Sequence, residues 1–352
     1  MIADLPEPET IRAEELLELI ENKSIDLICV LGPTASGKTR YAVELARELN
    51  RLRAEREGNI GPDRAGAEIL SGDSRQVYRG MDIGTAKTPV FERRVPLHCI
   101  DLVDIGQPYS AAVFAQDSHA CIDGLLARDV LPVVCGGTGL YVRAALEDMG
   151  FPEGEQVENP VRERYEALAA QMGNDAFHEL LQSKDPCSAA LIHPNNVRRV
   201  VRAFELLEQG SSYAQEHATL HERVDRYPTL HVGLTMPREM LYERINRRVD
   251  KMMELGLVDE VRSLMDAGLA DTLTSNQAIG YKEIIAALRG ETSMEEAVED
   301  IKRSSRRYAK RQYTWFNADK RIHWFDASQM GEDELVDRVV GLFSEPGVQQ
   351  AL

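Results

Sequence analysis

The sequence lacks any long apolar run. No stretch approaches the ~18 consecutive apolar residues that a membrane-spanning helix requires, which argues against a membrane protein. The first residues, MIADLPEPETIRAEELLELIENK, are acidic, whereas a secretory signal begins with basic residues and continues with apolar ones. We therefore expect a cytoplasmic protein.

Cysteine is scarce and shows no pairing pattern. The five cysteines are scattered and form neither a CxxC pair nor a Cys/His cluster, which argues against a zinc site and against disulfides. Because most of them lie in apolar runs, we expect buried, reduced thiols. They are Cys29, Cys99, Cys121, Cys135 and Cys187.

Positive charge is in the minority. A formal net charge of -17 at pH 7 argues against a protein that coats nucleic acid indiscriminately. The basic residues nevertheless form three sets at helical spacing, and three such sets in an acidic chain favour a concentrated site for a polyanion rather than ordinary solvated helix faces. The sets are Arg198, Arg199 and Arg202; Arg244, Arg247, Arg248 and Lys251; and Arg306, Arg307, Lys310 and Arg311.

The segment GPTASGKT fits the phosphate-binding pattern GxxxxGK[ST] at every fixed position. A strand-like run precedes it and a helical pattern follows, as the motif requires. Its glycines allow backbone N–H groups to surround an anion, and the following helix presents its positive end. The loop comprises Gly32, Pro33, Thr34, Ala35, Ser36, Gly37, Lys38 and Thr39. Lys38 adds a charge, and Thr39 is the candidate ligand of Mg²⁺, partly through water.

The order of predicted elements indicates the fold class. Strands at 25–30, 67–70, 98–103 and 130–135 alternate with helices at 38–52 and 111–126. This order predicts an α/β fold with a P-loop NTPase-like parallel sheet flanked by helices, and ligands at the carboxyl ends of the strands. A helix over 10–21 precedes the first strand, and 51–65 has the composition of a surface insertion.

The pattern changes after residue 150. The segment FPEGEQVENP reads as a linker, and 161–209 is helix-patterned without a convincing strand. We therefore expect a first part of the core at 1–150, an all-helical insertion domain at 151–225 and a mostly helical second part of the core at 226–345. In that second part we predict a strand at 230–234, helices at 239–266, 282–288 and 295–315, and a final strand RIHWFD.

Asp73 follows a predicted strand and the pair Ser71-Gly72, which places a carboxylate at the sheet edge near the phosphate loop. It could cap a turn, accept a proton, or act on Mg²⁺ through water. Lys87 in GTAK is also placed to meet phosphate. Hydrolytic P-loop proteins usually end a strand with a Mg²⁺-binding Asp, whereas the strand here ends in Cys135 and Gly-Gly-Thr. This favours a transferase whose loop holds a leaving group.

With these residues in view, the chain resembles the bacterial type of tRNA dimethylallyltransferase over nearly its whole length. DSRQVYRGMDIGTAK and RQYTWF are far more particular to that family than the phosphate loop is. The matching stretches are GPTASGKT, DSRQVYRGMDIGTAK, GGTGLY, HPNNVRRVVRA, RINRRVDKMMELG, QAIGYKE and KRQYTWF.

The resemblance implies a reaction. The family transfers the dimethylallyl group from dimethylallyl diphosphate to N6 of the adenosine 3′-adjacent to the anticodon of tRNA. The resemblance implies that Lys38, Thr39 and Arg248 neutralise the diphosphate together with Mg²⁺. It also implies that Asp73 is the general base and that Thr138 lies beside the reaction channel. The catalytic residues would be Asp73, Arg248 and Thr138.

The resemblance also implies the tRNA contacts. The insertion domain would grip the anticodon stem, and we expect a monomer. The implied tRNA-binding residues are Asp73, Ser74, Arg75 and Gln76; Arg198, Arg199, Val200, Val201 and Arg202; Gln277, Ala278, Ile279, Gly280, Tyr281 and Lys282; and Arg311 and Gln312.

Three alternatives remain open on the sequence. An adenylate isopentenyltransferase acting on free AMP, ADP or ATP shares the phosphate loop, but HPNNVRRVVRA and QAIGYKE count against it. A small-molecule P-loop kinase would not explain RQYTWF. A non-catalytic RNA-binding module gives no reason for Asp73 and the phosphate loop to occur together.

Overall fold

The computed structural model describes residues 25–57, 66–151, 159–219, 224–272 and 274–328. The predicted helix at 10–21 and much of the predicted insertion at 51–65 lie outside these ranges. The chain divides into two compact units. One comprises Met1–Leu146 and Asp225–Leu352, and is called the core unit; the other, Glu147–Val224, is called the helical unit.

The described residues of the core unit form a six-stranded sheet in which every pair of neighbouring strands is parallel. The strands are β1 (Leu27–Leu31), β2 (Ala67–Ser71), β3 (Leu97–His98), β4 (Leu131–Gly136), β5 (Thr229–Thr235) and β6 (Ile322–Asp326). Their order across the sheet is β3-β2-β4-β1-β5-β6. The four central strands are buried along their whole length, as expected when helices cover both faces. The predicted fold class is confirmed.

Three helices belong to the first part of the core unit, α1 (Lys38–Glu57), α2 (Ala111–Leu126) and α3 (Gly139–Leu146). The prediction for 111–126 is confirmed, and Ser110 caps that helix by accepting a hydrogen bond from the Val113 N–H. α1 continues five residues beyond the predicted end. Arg51 pairs with Glu48 and Glu55 at helical spacing, which supports the extra turn.

The predicted strand at 98–103 is mostly wrong, because β3 ends at His98. Cys99 and Asp101 have positive φ angles of 57° and 53°, which no strand accommodates. The backbone after β3 instead bonds to the segment that follows Asp73, since the Asp101 N–H donates to the Gln76 carbonyl and the Leu102 N–H to that of Val77.

The helical unit contains α4 (Pro160–Met172), α5 (Asn174–Lys184), α6 (Pro186–Leu191), α7 (Val197–Glu208) and α8 (Tyr213–Thr219). Phe177, Leu181 and Phe204 form the centre of its apolar core. α7 is strongly amphipathic: Val200 and Val201 face this core, whereas Arg198 and Arg199 are exposed. The predicted absence of strands from 161–209 holds for the residues described there.

The second part of the core unit adds α9 (Arg238–Glu254), α10 (Leu257–Asp266), α11 (Tyr281–Leu288) and α12 (Met294–Phe316). The predicted helix at 239–266 is thus two helices. Gly256 separates them with a φ of 95°, a conformation in which a helix ends. None of the described helices combines the length and the apolar character needed to cross a membrane.

The ends of β2 and β4 approach each other closely. A Cβ atom on Gly136 would lie 2.6 Å from the Gly72 carbonyl oxygen, so only glycine fits there. The Gly72 N–H donates to the Cys135 carbonyl, which joins the chain beyond the two strands. Asp73 and Gly137, the residues that follow, are thereby held at one edge of the sheet.

All five cysteines are free, as expected. Cys29, Cys99 and Cys135 are buried and Cys121 is partly buried. Cys187 is exposed, which corrects the expectation of burial for that residue. It lies near the start of the short helix α6, on a surface of the helical unit.

Candidate active site

The phosphate loop joins β1 to α1 and has the backbone that its glycines predict. Gly32 and Gly37 have φ angles of 152° and 95°, and Ala35 also lies in the left-handed region. A Cβ atom on Gly32 would lie 2.8 Å from the Leu234 carbonyl oxygen of β5. The loop is therefore pressed against the neighbouring strand, with Ser36 Oγ buried and without a hydrogen-bond partner among the described residues.

Two cations, Lys38 and Arg248, occupy the space beside this loop. Burial lowers the pKa of both side chains, and Asp73 opposes that shift in each. The Lys38 Nζ donates to the Pro33 carbonyl at 3.2 Å. Arg248 makes no hydrogen bond or close ion pair with any residue that the structure describes. Positive charge held partly out of water without a matching partner is the arrangement that attracts an anionic ligand.

Gln312, near the end of α12, fixes the phosphate loop. Its Oε1 accepts the Thr34 N–H at 2.9 Å, and its Nε2 donates to the Gly137 carbonyl at 2.8 Å. The side chain is buried and joins the two strand-end loops. The tRNA contact implied for Gln312 stays a prediction.

Asp73 lies across from the two cations. Its Oδ1 accepts the Arg75 N–H at 2.8 Å, so the turn-capping role that the sequence left open is present. Its Oδ2 forms no hydrogen bond with a described residue and is available to a ligand. The carboxylate therefore has one oxygen that shapes the loop and one that can accept a proton.

Thr138 and Tyr308 extend the polar wall next to Asp73. Thr138 Oγ1 accepts the Ser74 N–H at 3.3 Å and lies 3.4 Å from the Tyr308 hydroxyl. Burial, followed by the charge of Asp73, raises the pKa of Tyr308, which stays a protonated donor. The sequence interpretation missed Tyr308, although it lies one helical turn before Gln312 and thus on the same side of α12.

These side chains surround a cavity of about 370 Å³, called the acceptor cavity below. Apolar residues of α9 and α12 form part of its wall, including Ile245, Val249, Met252 and Ile301. The lining includes these residues singled out in the sequence: Thr34, Asp73, Ser74, Arg75, Thr138, Arg248, Gln277, Ala278, Ile279, Gly280, Lys282 and Arg311.

A second, open cleft of about 900 Å³ lies at the phosphate loop and is lined by Gly37, Lys38, Thr39 and several arginines. Arg248 lines both this cleft and the acceptor cavity, so its side chain borders both spaces. Lys87 also borders the cleft, but its ammonium is buried in ion pairs with Asp82 and Asp101. The prediction that Lys87 meets phosphate is corrected by these pairs.

Comparison with known proteins identifies the family of this chain. A family model described as IPP transferase matches residues 76–319. A tRNA dimethylallyltransferase of Geobacillus thermodenitrificans is 44% identical over 301 residues, which cover 85% of this chain and 90% of the relative. The chain belongs to the tRNA dimethylallyltransferase family. Another tRNA dimethylallyltransferase, from Thermobifida fusca, is 45% identical over 323 residues, which cover 91% of this chain and 94% of the relative.

Solved structures agree with this assignment. The tRNA isopentenylpyrophosphate transferase of Bacillus halodurans superposes with a TM-score of 0.63 at 41% identity, covering 91% of this chain and 95% of its own. A eukaryotic dimethylallyltransferase described as acting on tRNA gives a TM-score of 0.68 at 27% identity, covering 86% and 73% respectively. The predicted family, including its bacterial character, is confirmed.

Not every residue assigned to tRNA binding by family resemblance is accessible. Val200 and Val201 are buried in the helical unit, because α7 turns its apolar side inward. Tyr281 is buried in the core unit, where its hydroxyl donates to Glu260. The tRNA contacts implied for these segments stay predictions. Their exposed side chains are Arg198 and Arg199 in the helical unit, and Gln277, Lys282 and Arg311 in the core unit.

We predict that inorganic diphosphate binds at Lys38 and Arg248. Replacing Arg248 by Ala should weaken binding by roughly tenfold or more, because a charge-assisted contact is lost in a partly dehydrated site. Isothermal titration calorimetry measures the affinity. The matched control is Arg262→Ala, since Arg262 is exposed, pairs with Asp259 on the same helix and lines neither the cleft nor the acceptor cavity. Equal affinities for the two variants would contradict the assignment.

Proposed function

We propose that this protein transfers the dimethylallyl group from dimethylallyl diphosphate to N6 of the adenosine 3′-adjacent to the anticodon of tRNA, releasing diphosphate. One observation carries the proposal: Arg248 borders both the phosphate cleft and the cavity that contains Asp73. A donor diphosphate in the cleft and an acceptor base in the cavity would meet at that point.

The donor side supplies charge stabilisation. Loop N–H groups, Lys38 and Arg248 surround the leaving diphosphate, whose negative charge grows as the allylic C–O bond breaks. Because the pKa of each cation is lowered by burial, each gains most from an anion at the moment when that charge is largest. Apolar side chains such as Val249 and Met252 offer a surface for the hydrocarbon.

The acceptor side supplies the general base, Asp73. N6 of the adenosine attacks the allylic carbon, and its proton passes to the free Oδ2 of Asp73 as diphosphate departs. Thr138 and Tyr308 line the same polar wall and offer hydroxyl groups to the adenine edge. The target base must leave its stack to enter the cavity, which costs a few kcal/mol and is least costly in an unpaired loop.

The exposed basic residues suit the remainder of the tRNA. Arg198 and Arg199 lie on the outer side of α7, where they can contact a phosphate backbone. Arg311 lies over the Tyr308 ring at 5.6 Å, at the border of the acceptor cavity. These contacts favour tRNA over a free adenine nucleotide, and a cytoplasmic location follows from such a substrate.

Mg²⁺ is the implied cofactor, and the residues fit a metal that a diphosphate ligand brings with it. Thr39 is exposed at the start of α1, beside the Cys135 thiol. Burial raises the pKa of Cys135 to about 11, and Mg²⁺ prefers oxygen ligands to thiols. The described residues contain no cluster of three or more metal-binding side chains. Thr39 would therefore hold Mg²⁺ together with phosphate oxygens and water, and the ion would neutralise the leaving group.

A substrate competition tests the proposed function. The protein is incubated with Mg²⁺, labelled dimethylallyl diphosphate and either unmodified tRNA or AMP. We expect label in tRNA, because the exposed Arg311 borders the acceptor cavity and the helical unit exposes Arg198 and Arg199 on α7. Label in AMP but not in tRNA would establish the adenylate isopentenyltransferase alternative instead.

The role of Asp73 is tested by Asp73→Asn. Asparagine can still accept the Arg75 N–H, so the turn is kept while the proton acceptor is lost. We expect single-turnover rates with tRNA to fall by roughly 10²-fold or more, as for other general bases. The dissociation constant for tRNA, measured by filter binding, should change little. A near-normal rate would exclude Asp73 as the base.

A further inference from the structure

Glu260, on α10, holds a loop that forms part of the acceptor cavity. Its carboxylate accepts three successive backbone N–H groups, from Asp82 at 3.1 Å, Ile83 at 2.7 Å and Gly84 at 3.2 Å. Successive N–H groups that converge on one carboxylate form an anion-binding nest, in which each hydrogen bond is charge-assisted. The loop 82–84 is thereby fixed to α10.

The same carboxylate also holds the start of α11. The Tyr281 hydroxyl donates to Glu260 Oε1 at 2.6 Å. Burial, followed by the nearby Glu260 charge, raises the pKa of Tyr281, so its hydroxyl remains a donor. The Tyr281 ring presses on the loop as well, since a Cβ atom on Gly84 would lie only 2.4 Å from ring carbon Cε2. Loop, ring and carboxylate thus form one packed group.

This group joins two walls of the acceptor cavity. Gly84 and Thr85 line one side, and the residues directly before Tyr281, from Gln277 to Gly280, line another. The Thr85 carbonyl accepts a hydrogen bond from Gln76 Nε2 at 3.2 Å, three residues after Asp73 in the chain. A displacement of the loop would therefore reach the segment that carries Asp73.

We propose that Glu260 is a positioning residue for the acceptor site, which sets the distance between the 84–85 wall and the 277–280 wall. The proposal rests on the proposed function for its substrate. Glu260 does not itself line the cavity, so it acts through Gly84 and Tyr281 and takes no part in the chemistry. Its effect should fall mainly on the tRNA substrate, because among the described residues no hydrogen bond joins Glu260, the loop 82–84 or Tyr281 to the phosphate loop.

The carboxylate is required in both its shape and its charge. Glutamine has the same shape, but its amide nitrogen is a donor and would face further donors in this nest. Glu260→Gln should therefore loosen the loop without leaving a void. Tyr281→Phe removes only the hydroxyl and keeps the ring against Gly84, so it tests the second half of the contact by itself.

Two measurements on the full chain test the proposal. Amide hydrogen exchange of the segment that contains residues 82–84 reports on the loop without any substrate, and steady-state kinetics reports KM for tRNA and for dimethylallyl diphosphate separately. For Glu260→Gln we expect roughly tenfold faster exchange in that segment and a KM for tRNA raised by roughly tenfold. The KM for the donor should stay within about twofold of the wild-type value.

The matched control is Asp259→Asn, the adjacent residue of α10. Asp259 is exposed and forms an ion pair with Arg262 on the same helix. The control should leave exchange and both KM values unchanged, whereas Tyr281→Phe should reproduce the Glu260→Gln pattern more weakly.

Two outcomes would overturn the proposal. One is unchanged exchange and an unchanged KM for tRNA in Glu260→Gln. The other is faster exchange throughout the core unit with an equal rise in both KM values, which would reduce Glu260 to a general contributor to stability. If Glu260→Gln does not fold, Tyr281→Phe decides by the same criteria. Failure of the proposed function is recognised separately, since the wild-type protein would then not prenylate tRNA.

Discussion

The candidate active site depends on an excess of positive charge at the end of β1. Lys38 and Arg248 lie partly out of water, with Asp73 as the carboxylate that opposes the loss of their charge. Two partly dehydrated cations beside one carboxylate leave an excess of positive charge, which favours an anionic ligand. In the proposed reaction, the two cations would face the leaving group and the free oxygen of Asp73 would face the acceptor base.

The surrounding fold holds these charges in place through contacts between distant parts of the chain. The close approach of Gly72 and Gly136 brings two strand ends together. Gln312 then joins Thr34 of the phosphate loop, which lies 278 residues earlier in the sequence, to Gly137. Glu260 holds the opposite side of the acceptor cavity. Each contact satisfies backbone groups that would otherwise be buried without partners, so the loops that carry the site are also the loops that the fold makes rigid.

The sequence predicts those structural features that depend on neighbouring residues in the chain. The strand–loop–helix order and the phosphate loop were readable because glycine spacing and apolar periodicity report directly on backbone geometry. The strand predicted at 98–103 failed because positive φ angles at Cys99 and Asp101 leave no trace in residue type. The contacts of Gln312, Tyr308 and Glu260 were not predicted, because they arise from packing between distant segments. Val200 and Val201 differ, since the apolar period of α7 already indicated that they face inward.

The most direct test is a structure of the protein with a non-reactive dimethylallyl diphosphate analogue and an unmodified anticodon stem-loop. The account predicts the diphosphate on the phosphate loop between Lys38 and Arg248, with adenosine N6 within hydrogen-bonding distance of the Asp73 carboxylate. Diphosphate bound away from Arg248, or N6 held beyond the reach of Asp73 while the analogue is seated on the loop, would contradict it.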